Sequence, residues 1–272
     1  MHQAFRSGRF APITLSAAAL IAISASTFAQ IVDRPALDVP YVPTPPEVVD
    51  LMLQMARVGP SDFVIDLGSG DGRIAVAAGK LGARAFGVDI DPQRIEEAQE
   101  NARKAGVQDK VTFARQNLFE TKIADATVLT MYLLTKVNMD LRPRILDELK
   151  PGTRVVSHAF NLGDWQPDNH ASVGYRQVYM WTVPAKVQGR WQVQNGAESF
   201  SLDLMQQVQS FSGSAQTGGK AIDVREGRMQ GAEIRFTLAD GRKFHGRVSG
   251  EQIESLQSPD NAAGIWRAER TP

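Results

Sequence analysis

Apolar and polar positions are distributed in two different rhythms along the chain. From about residue 33 to 182, short apolar runs alternate with longer stretches whose apolar residues recur every three to four positions. From about 183 to 272, the runs are short, alternate residue by residue, and are punctuated by glycine. The first rhythm predicts strands alternating with helices, and the second predicts antiparallel strands. Asp62 to Leu67, Ala85 to Asp89, Val111 to Ala114, Ala126 to Tyr132 and Arg154 to His158 read as buried strands, with Tyr175 to Val183 as a closing one. Between them the periodicity predicts helices from Arg73 to Leu81, from Asp91-Pro92 through Ile95, Ala98 and Ala102, and from about Val137 to Leu149, where Pro143 is a candidate kink. An earlier helix is expected after Thr44-Pro45-Pro46-Glu47, with Thr44 as cap and Glu47 closing a capping box. In the next helix Ile74, Ala77, Ala78 and Leu81 are expected to face inward.

Strand followed by helix, repeated at this spacing, predicts an α/β fold with a doubly wound, Rossmann-like sheet. The last 90 or so residues predict a small antiparallel all-β domain of six to eight strands, a barrel or sandwich. Asp240-Gly241 is expected as a hairpin turn there, and Trp191 and Trp266 as residues closing its core. This region is only loosely similar to small ligand-binding barrels. Substrate docking and a purely stabilising extension both remain open for it.

Residues 1–29 read as a secretory signal. Arg6 and Arg9 precede a mostly apolar stretch from Ala11 to about Ala25, and Thr27 and Ala29 fit the −3 and −1 positions of a cleavage site. Export to the periplasm or medium is the expectation, with an uncleaved membrane anchor as the alternative. The domains are therefore expected at 1–29, 30–182 and 183–272. Removing the signal takes two arginines and no acid from a chain with equal numbers of basic and acidic residues, 30 each. Such a balance argues against broad electrostatic capture of nucleic acid. With no cysteine, disulfides, thiolate zinc sites and a thiol nucleophile are excluded. No metal site is expected from the four histidines, and no stable membrane span once the signal is gone.

The chemistry concentrates in Asp66-Leu67-Gly68-Ser69-Gly70-Asp71-Gly72, a glycine loop between a strand and a helix. Gly68, Gly70 and Gly72 allow close backbone approach to a ligand. Asp89 ends the next strand, where a carboxylate can accept from ribose hydroxyls. The loop is G-x-G-x-G rather than the dinucleotide G-x-G-x-x-G, and no Gly-Lys-Ser/Thr follows. An acid at its entrance repels phosphate and suits a cationic ligand. The reading is an adenosyl ligand without phosphates, S-adenosylmethionine (SAM).

Val64 to Gly72 resembles motif I of the class I, seven-strand SAM-dependent methyltransferases, and Gly87-Val88-Asp89-Ile90-Asp91 resembles their second motif. Pro40-Tyr41-Val42-Pro43-Thr44-Pro45, Asn117-Leu118-Phe119, Tyr132-Leu133-Leu134 and Leu149 to His158 occur in the order seen in one small family. That family includes the mitochondrial lysine methyltransferases of ATP synthase subunit c and of the adenine nucleotide translocase. The resemblance covers about residues 38–168. It implies that Asp66, Gly68 and Gly70, with Ser69 and Gly72 in the same loop, hold the methionine part of SAM, that Asp89 holds the ribose, and that Asn117 reads the adenine amino group. It also implies N-methylation of a protein, most simply on lysine. A small-molecule methyltransferase and an exported SAM-binding protein without catalysis are the rivals. Tyr41, Tyr132 and His158 are the candidate catalytic residues, because each falls at the start of the domain or at a strand's carboxyl end. An Asn/Asp-Pro-Pro-Tyr signature is absent, Met131-Tyr132-Leu133-Leu134 standing in its place.

Overall fold

The computed structural model describes residues 1–2, 40–257 and 263–271. The expected signal segment lies outside these residues, apart from Met1 and His2. Pro40 onward leads into α1 (Pro46–Met55), and the chain then alternates β1 (Phe63–Leu67), α2 (Arg73–Lys80), β2 (Arg84–Asp89), α3 (Pro92–Lys104), β3 (Val111–Arg115), β4 (Val128–Met131), α4 (Thr135–Glu148) and β5 (Arg154–His158). A hairpin of β6 (Asn169–Val173) and β7 (Arg176–Thr182) completes a seven-stranded sheet in the order β3-β2-β1-β4-β5-β7-β6. The first five strands are parallel, and β7 runs antiparallel to β5. The strand order reverses between β1 and β4, which opens a crevice at their carboxyl ends.

The helices follow their sequence signals with two instructive departures. In α3, Asp91 caps by accepting from Gln93 N at 2.9 Å, Pro92 occupies the first turn, and Ile95, Ala98 and Ala102 are buried. In α1 the cap falls one residue later than expected. Pro45 is the cap residue, Pro46 opens the helix, and no side chain bonds the first turn. Thr44 is drawn instead to His158, with Oγ1 3.2 Å from Nδ1. In α2 the inward face is Ile74, Ala75, Val76, Ala78 and Gly79, while Leu81 lies past the end and is 48% exposed. The helix stops at Lys80, so Leu81 leaves the helical period before it can reach the core.

Two apolar clusters sandwich the sheet. One joins α1 and α2 to Val64, Val128 and Val156; the other joins α4 to Ile65, Leu129, Val155, Trp165 and Trp181. Alternate residues of one strand feed opposite faces, as a pleated strand buried on both sides requires. Arg154 ties the amino edge together, bonding Ala56 O and the Asp62 carboxylate.

The remaining strands, β8 (Gly189–Asn195), β9 (Glu198–Gln207), β10 (Ser210–Thr217), β11 (Lys220–Gln230), β12 (Glu233–Leu238), β13 (Lys243–Ser249), β14 (Gln252–Ser255) and β15 (Trp266–Arg270), form a closed barrel in which each strand pairs with its sequence neighbours and β15 returns to β8. Asp240-Gly241 lies in the turn between β12 and β13, and Trp191 and Trp266 are both buried in the core. The lumen is filled by side chains. Phe236 and Phe244 stack at 4.7 Å, Trp266 meets both edge-on, and Phe200 and Phe211 close around them. The barrel meets the sheet domain at that domain's amino edge. Gln209 Nε2 donates to Gln166 O at 2.6 Å, Ala185 N donates to Gly231 O, and Gly231 lies so close to Gly152 that a Cβ would come within 3.2 Å of it. Gly152 precedes β5, at the end of the sheet away from the crevice.

Candidate active site: a cofactor cleft and an aromatic acceptor wall

The crevice between β1 and β4 is an open-mouthed cleft. Its floor is Asp66, Gly68, Ser69 and Gly70; one side is Asp89, Ile90 and Asn117, and the other Tyr132 and Leu133. The segment Pro40 to Thr44 forms a further wall. Among the described residues, none of the barrel lines it.

The glycine loop is shaped by backbone demands. Gly68 N and Ser69 N both donate to Val88 O, at 2.9 and 2.8 Å, which pins the loop to β2. Gly70 has φ +52°, and a Cβ there would stand 2.5 Å from the Tyr41 ring. Gly72 answers a different need. It starts α2 at φ +77°, and a Cβ would strike Phe113 and Ala98. Gly72 therefore packs α2 onto α3 and β3 and does not line the cleft.

The carboxylates differ sharply in state. Asp66 is buried, with Oδ1 accepting from Thr130 Oγ1 at 2.7 Å and Oδ2 lacking any partner. Burial pushes its pKa up to about 7, against the Thr130 bond and with help from the negative charges of Asp89 and Asp71. Asp89 accepts from Gly70 N at 2.9 Å and from Asp91 N at 3.0 Å, so backbone amides fix both of its oxygens. Asp71 is partly buried, which would raise its pKa. A two-toothed bond from Arg73 Nε and Nη2, at 2.9 and 2.6 Å, instead holds it below the ordinary carboxylate range. Asn117 Oδ1 accepts from Phe119 N at 2.9 Å and caps the short 3-10 turn Leu118–Glu120, so the side-chain carbonyl assigned to adenine also has a local role.

These features fit S-adenosylmethionine. The cleft offers two buried oxygens without partners, Asp66 Oδ2 and Ser69 Oγ, at the methionine end of the expected ligand. An unpartnered buried polar atom is costly, and a cationic ligand rich in N–H donors would satisfy both.

Around the mouth, Tyr132 is half-buried against the His158 ring, with centroids 3.9 Å apart, and the Phe160 ring lies 6.2 Å from Tyr132. Phe160 reaches this place through a tight reversal. Ala159 takes φ +65°, and Phe160 N donates to His158 O two residues back. That is a strained γ-turn, a geometry that collects at functional sites. Ser157 Oγ and Asn138 Nδ2 both donate to Phe160 O and hold it. The His158 pKa is depressed to about 4, first by burial and then by the Arg176 charge. The imidazole is thus neutral at ordinary pH.

The structure brings Asp66, Gly68, Ser69, Gly70, Asp89, Asn117, Tyr41 and Tyr132 to one cleft and sets His158 directly behind Tyr132. Sequence reasoning did not find Arg73, Arg94, Phe160 or Arg176. Arg73 and Arg94 look like surface charges on helices, and only the fold turns them toward Thr44 O and the Tyr41 ring. For Phe160, the signal would have been a strained residue after a strand, which a sequence does not display.

A sheet in the order 3-2-1-4-5-7-6 with this loop and acid defines a class I SAM-dependent methyltransferase. The ANTKMT methyltransferase domain family matches residues 66–169. A protein-lysine N-methyltransferase of Saccharolobus islandicus (strain REY15A) is 51% identical over 131 residues, covering 47% of this chain and 81% of that protein. The adenine nucleotide translocase lysine N-methyltransferase of Mus musculus is 35% identical over 148 residues, 54% of this chain and 64% of that protein. Among solved structures, an RNA methyltransferase from Salinibacter ruber in complex with S-adenosyl-L-homocysteine is 49% identical, with a TM-score of 0.53, covering 54% of this chain and 96% of that one. The chain belongs to the ANTKMT methyltransferase family, and its cofactor is SAM. The family match ends at residue 169, before the barrel begins.

Proposed function

We propose that this enzyme methylates the ε-amino group of a lysine in a protein. The observation that carries the reading is the 51% identity to a protein-lysine N-methyltransferase across most of that protein's length. The chemistry of the mouth agrees with it. SAM supplies a methyl group made electrophilic by its sulfonium, and the protein has to align an uncharged amine with it. Thr44, Tyr132, Leu133 and His158 form an uncharged acceptor side. A lysine entering there loses water, which favours its neutral, nucleophilic form. Asp66, Gly68, Ser69 and Gly70 hold the methionine end, Asp89 the ribose and Asn117 the adenine, while Gly72 keeps the loop in shape. Tyr132 borders the acceptor amine. His158, neutral and bonded to Thr44, fixes the Tyr132 ring instead of taking the proton, because an imidazole with a pKa of about 4 is too weak a base for an ammonium group.

A second reading, methylation of RNA, is favoured by the name of the 49% identical solved relative. The balanced net charge weighs against it. Methyl-labelled SAM, incubated with the protein and separately with total envelope protein and total RNA, distinguishes the two. The proposal expects label in protein, and in methyl-lysine after hydrolysis. Label confined to RNA would overturn it. We also propose that residues 1–29 direct export. Sequencing the N-terminus of the protein recovered from cells should start at Gln30, and a chain starting at Met1 in the soluble cytoplasmic fraction would refute that.

A further inference from the structure

Tyr41 was expected among the groups acting in transfer, yet its surroundings belong to the cofactor loop. Its ring covers Gly70, so closely that a Cβ on Gly70 would lie 2.5 Å from Cε2. The Arg94 guanidinium sits 4.4 Å from the ring centroid, within cation–π range. Arg94 is itself held from below, by Glu97 at 2.6 Å, on the first turns of α3. Two residues C-terminal to Val42, the backbone is tied down again, where Arg73 Nη1 donates to Thr44 O at 2.8 Å while the rest of the guanidinium grips Asp71. The strap from Pro40 to Thr44 is thus fastened to the glycine loop at both ends, by Tyr41 on Gly70 and by Arg73 between Asp71 and Thr44. Tyr41, Arg94, Gly70 and Asp89 all line the cleft, and Gly70 N is bonded to the Asp89 carboxylate. Whatever moves the Tyr41 ring therefore bears on the loop that is bonded to the ribose acid.

The side chain of Thr44 faces elsewhere. Thr44 Oγ1 meets His158 Nδ1, and the His158 ring packs tilted against Tyr132. Five residues thus divide between two tasks.

We propose that Tyr41 acts in cofactor retention, its ring closing the strap over the glycine loop with Arg94 as the positioning residue behind it, and that it takes no part in methyl transfer itself. The inference rests on SAM occupying this cleft. It further specifies that the ring does the holding, because the ring covers Gly70 and carries the cation–π contact with Arg94, while the hydroxyl has its own interactions with the Asp71, Arg73 and Arg94 side chains. A phenylalanine keeps both ring contacts and loses only the hydroxyl's, and an alanine loses all of them.

The test uses the full-length protein with S-adenosylmethionine and S-adenosylhomocysteine as probes. Calorimetry gives their Kd, and stopped-flow displacement gives their dissociation rates. Tyr41→Ala should weaken both ligands about tenfold, nearly all of it through faster dissociation, the size of a lost exposed-to-buried aromatic contact. Arg94→Ala should weaken them about threefold. Tyr41→Phe should stay within twofold of wild type, a rescue that a hydroxyl-based role would not show. Lys220→Ala, at an exposed position at the start of β11 in the barrel, should leave both constants unchanged. Wild-type affinity and dissociation in Tyr41→Ala would overturn the proposal, as would a Tyr41→Phe variant as weak as the alanine. Should Tyr41→Ala fail to fold, an Arg94→Ala variant with unaltered dissociation rates would overturn it equally. Wild-type protein that binds neither ligand would instead contradict the SAM site, which separates failure of this inference from failure of the reading beneath it.

Discussion

The two halves of this chain are built to opposite specifications. The barrel closes on itself, so that every strand is paired on both sides, and its interior is packed with stacked and edge-on rings. The parallel sheet instead ends in a crevice where backbone turns left-handed at Gly68, Gly70 and Ala159, a carboxyl oxygen stays unpartnered, and a buried acid titrates near neutrality. Such costs persist only where a ligand offsets them or the surrounding fold enforces them. The contrast identifies the sheet's carboxyl edge as the seat of chemistry. The barrel, docked on the opposite edge, has its lumen filled by apolar side chains.

The comparison can be broken most forcefully in the barrel. Trp266→Ala empties a site lined by Phe236 and Phe244 and should cost about 3–5 kcal/mol of stability. Denaturant titration would read that loss, while the Kd for SAM at low temperature should change less than twofold. A large loss of cofactor affinity would mean that the two halves are coupled. Gly70→Val should do the reverse. Its side chain would collide with Tyr41 at a left-handed position, and SAM affinity should fall at least about 100-fold, or about 2.7 kcal/mol, with the barrel still folded by its near-ultraviolet circular dichroism.

Asp66→Asn sharpens the contrast through pH. The folded-state pKa lies near 7, well above the ordinary 3.8. The carboxylate that favours a cation therefore forms only as pH rises through neutrality. Cofactor affinity in wild type should climb between about pH 6 and 7.5, and the asparagine variant should lose about tenfold at the top of that range, a charged hydrogen bond's worth, and little at the bottom. A flat wild-type profile would contradict the burial argument. The smallest effect concerns His158. Its pKa is depressed when folded, so the unfolded chain binds the proton more readily between about 4 and 6.5. Stability contributed by the neutral ring is complete above pH 6.5 and is lost as pH falls toward 4. Replacing His158 by glutamine should flatten the melting temperature over that window.

The legibility of the sequence follows the same division. The glycine loop, Asp89, the Asp91-Pro92 cap and the buried face of α3 were readable, because local geometry demands particular residues at fixed spacing. The strand β6 was missed. Its residues are mostly exposed and polar at the sheet's margin, and periodicity sees only strands that bury a face. Thr44 misled for a related reason. A threonine before two prolines is a sound capping signal, and only a histidine 114 positions away outbids the helix for its hydroxyl. The aromatic wall at the mouth is likewise a product of long-range contact, since Tyr132 and Phe160 are assembled by α4 and a strained turn. Residues whose task is local announce themselves, and those recruited from distant strands do not.

The most direct test of the account is a calorimetric titration of SAM into the wild-type protein and into Asp89→Ala. One binding site per chain with micromolar affinity, weakened at least about 30-fold in the variant, is the predicted result. Absence of measurable heat from wild type at millimolar ligand, or equal binding by the two proteins, would contradict it.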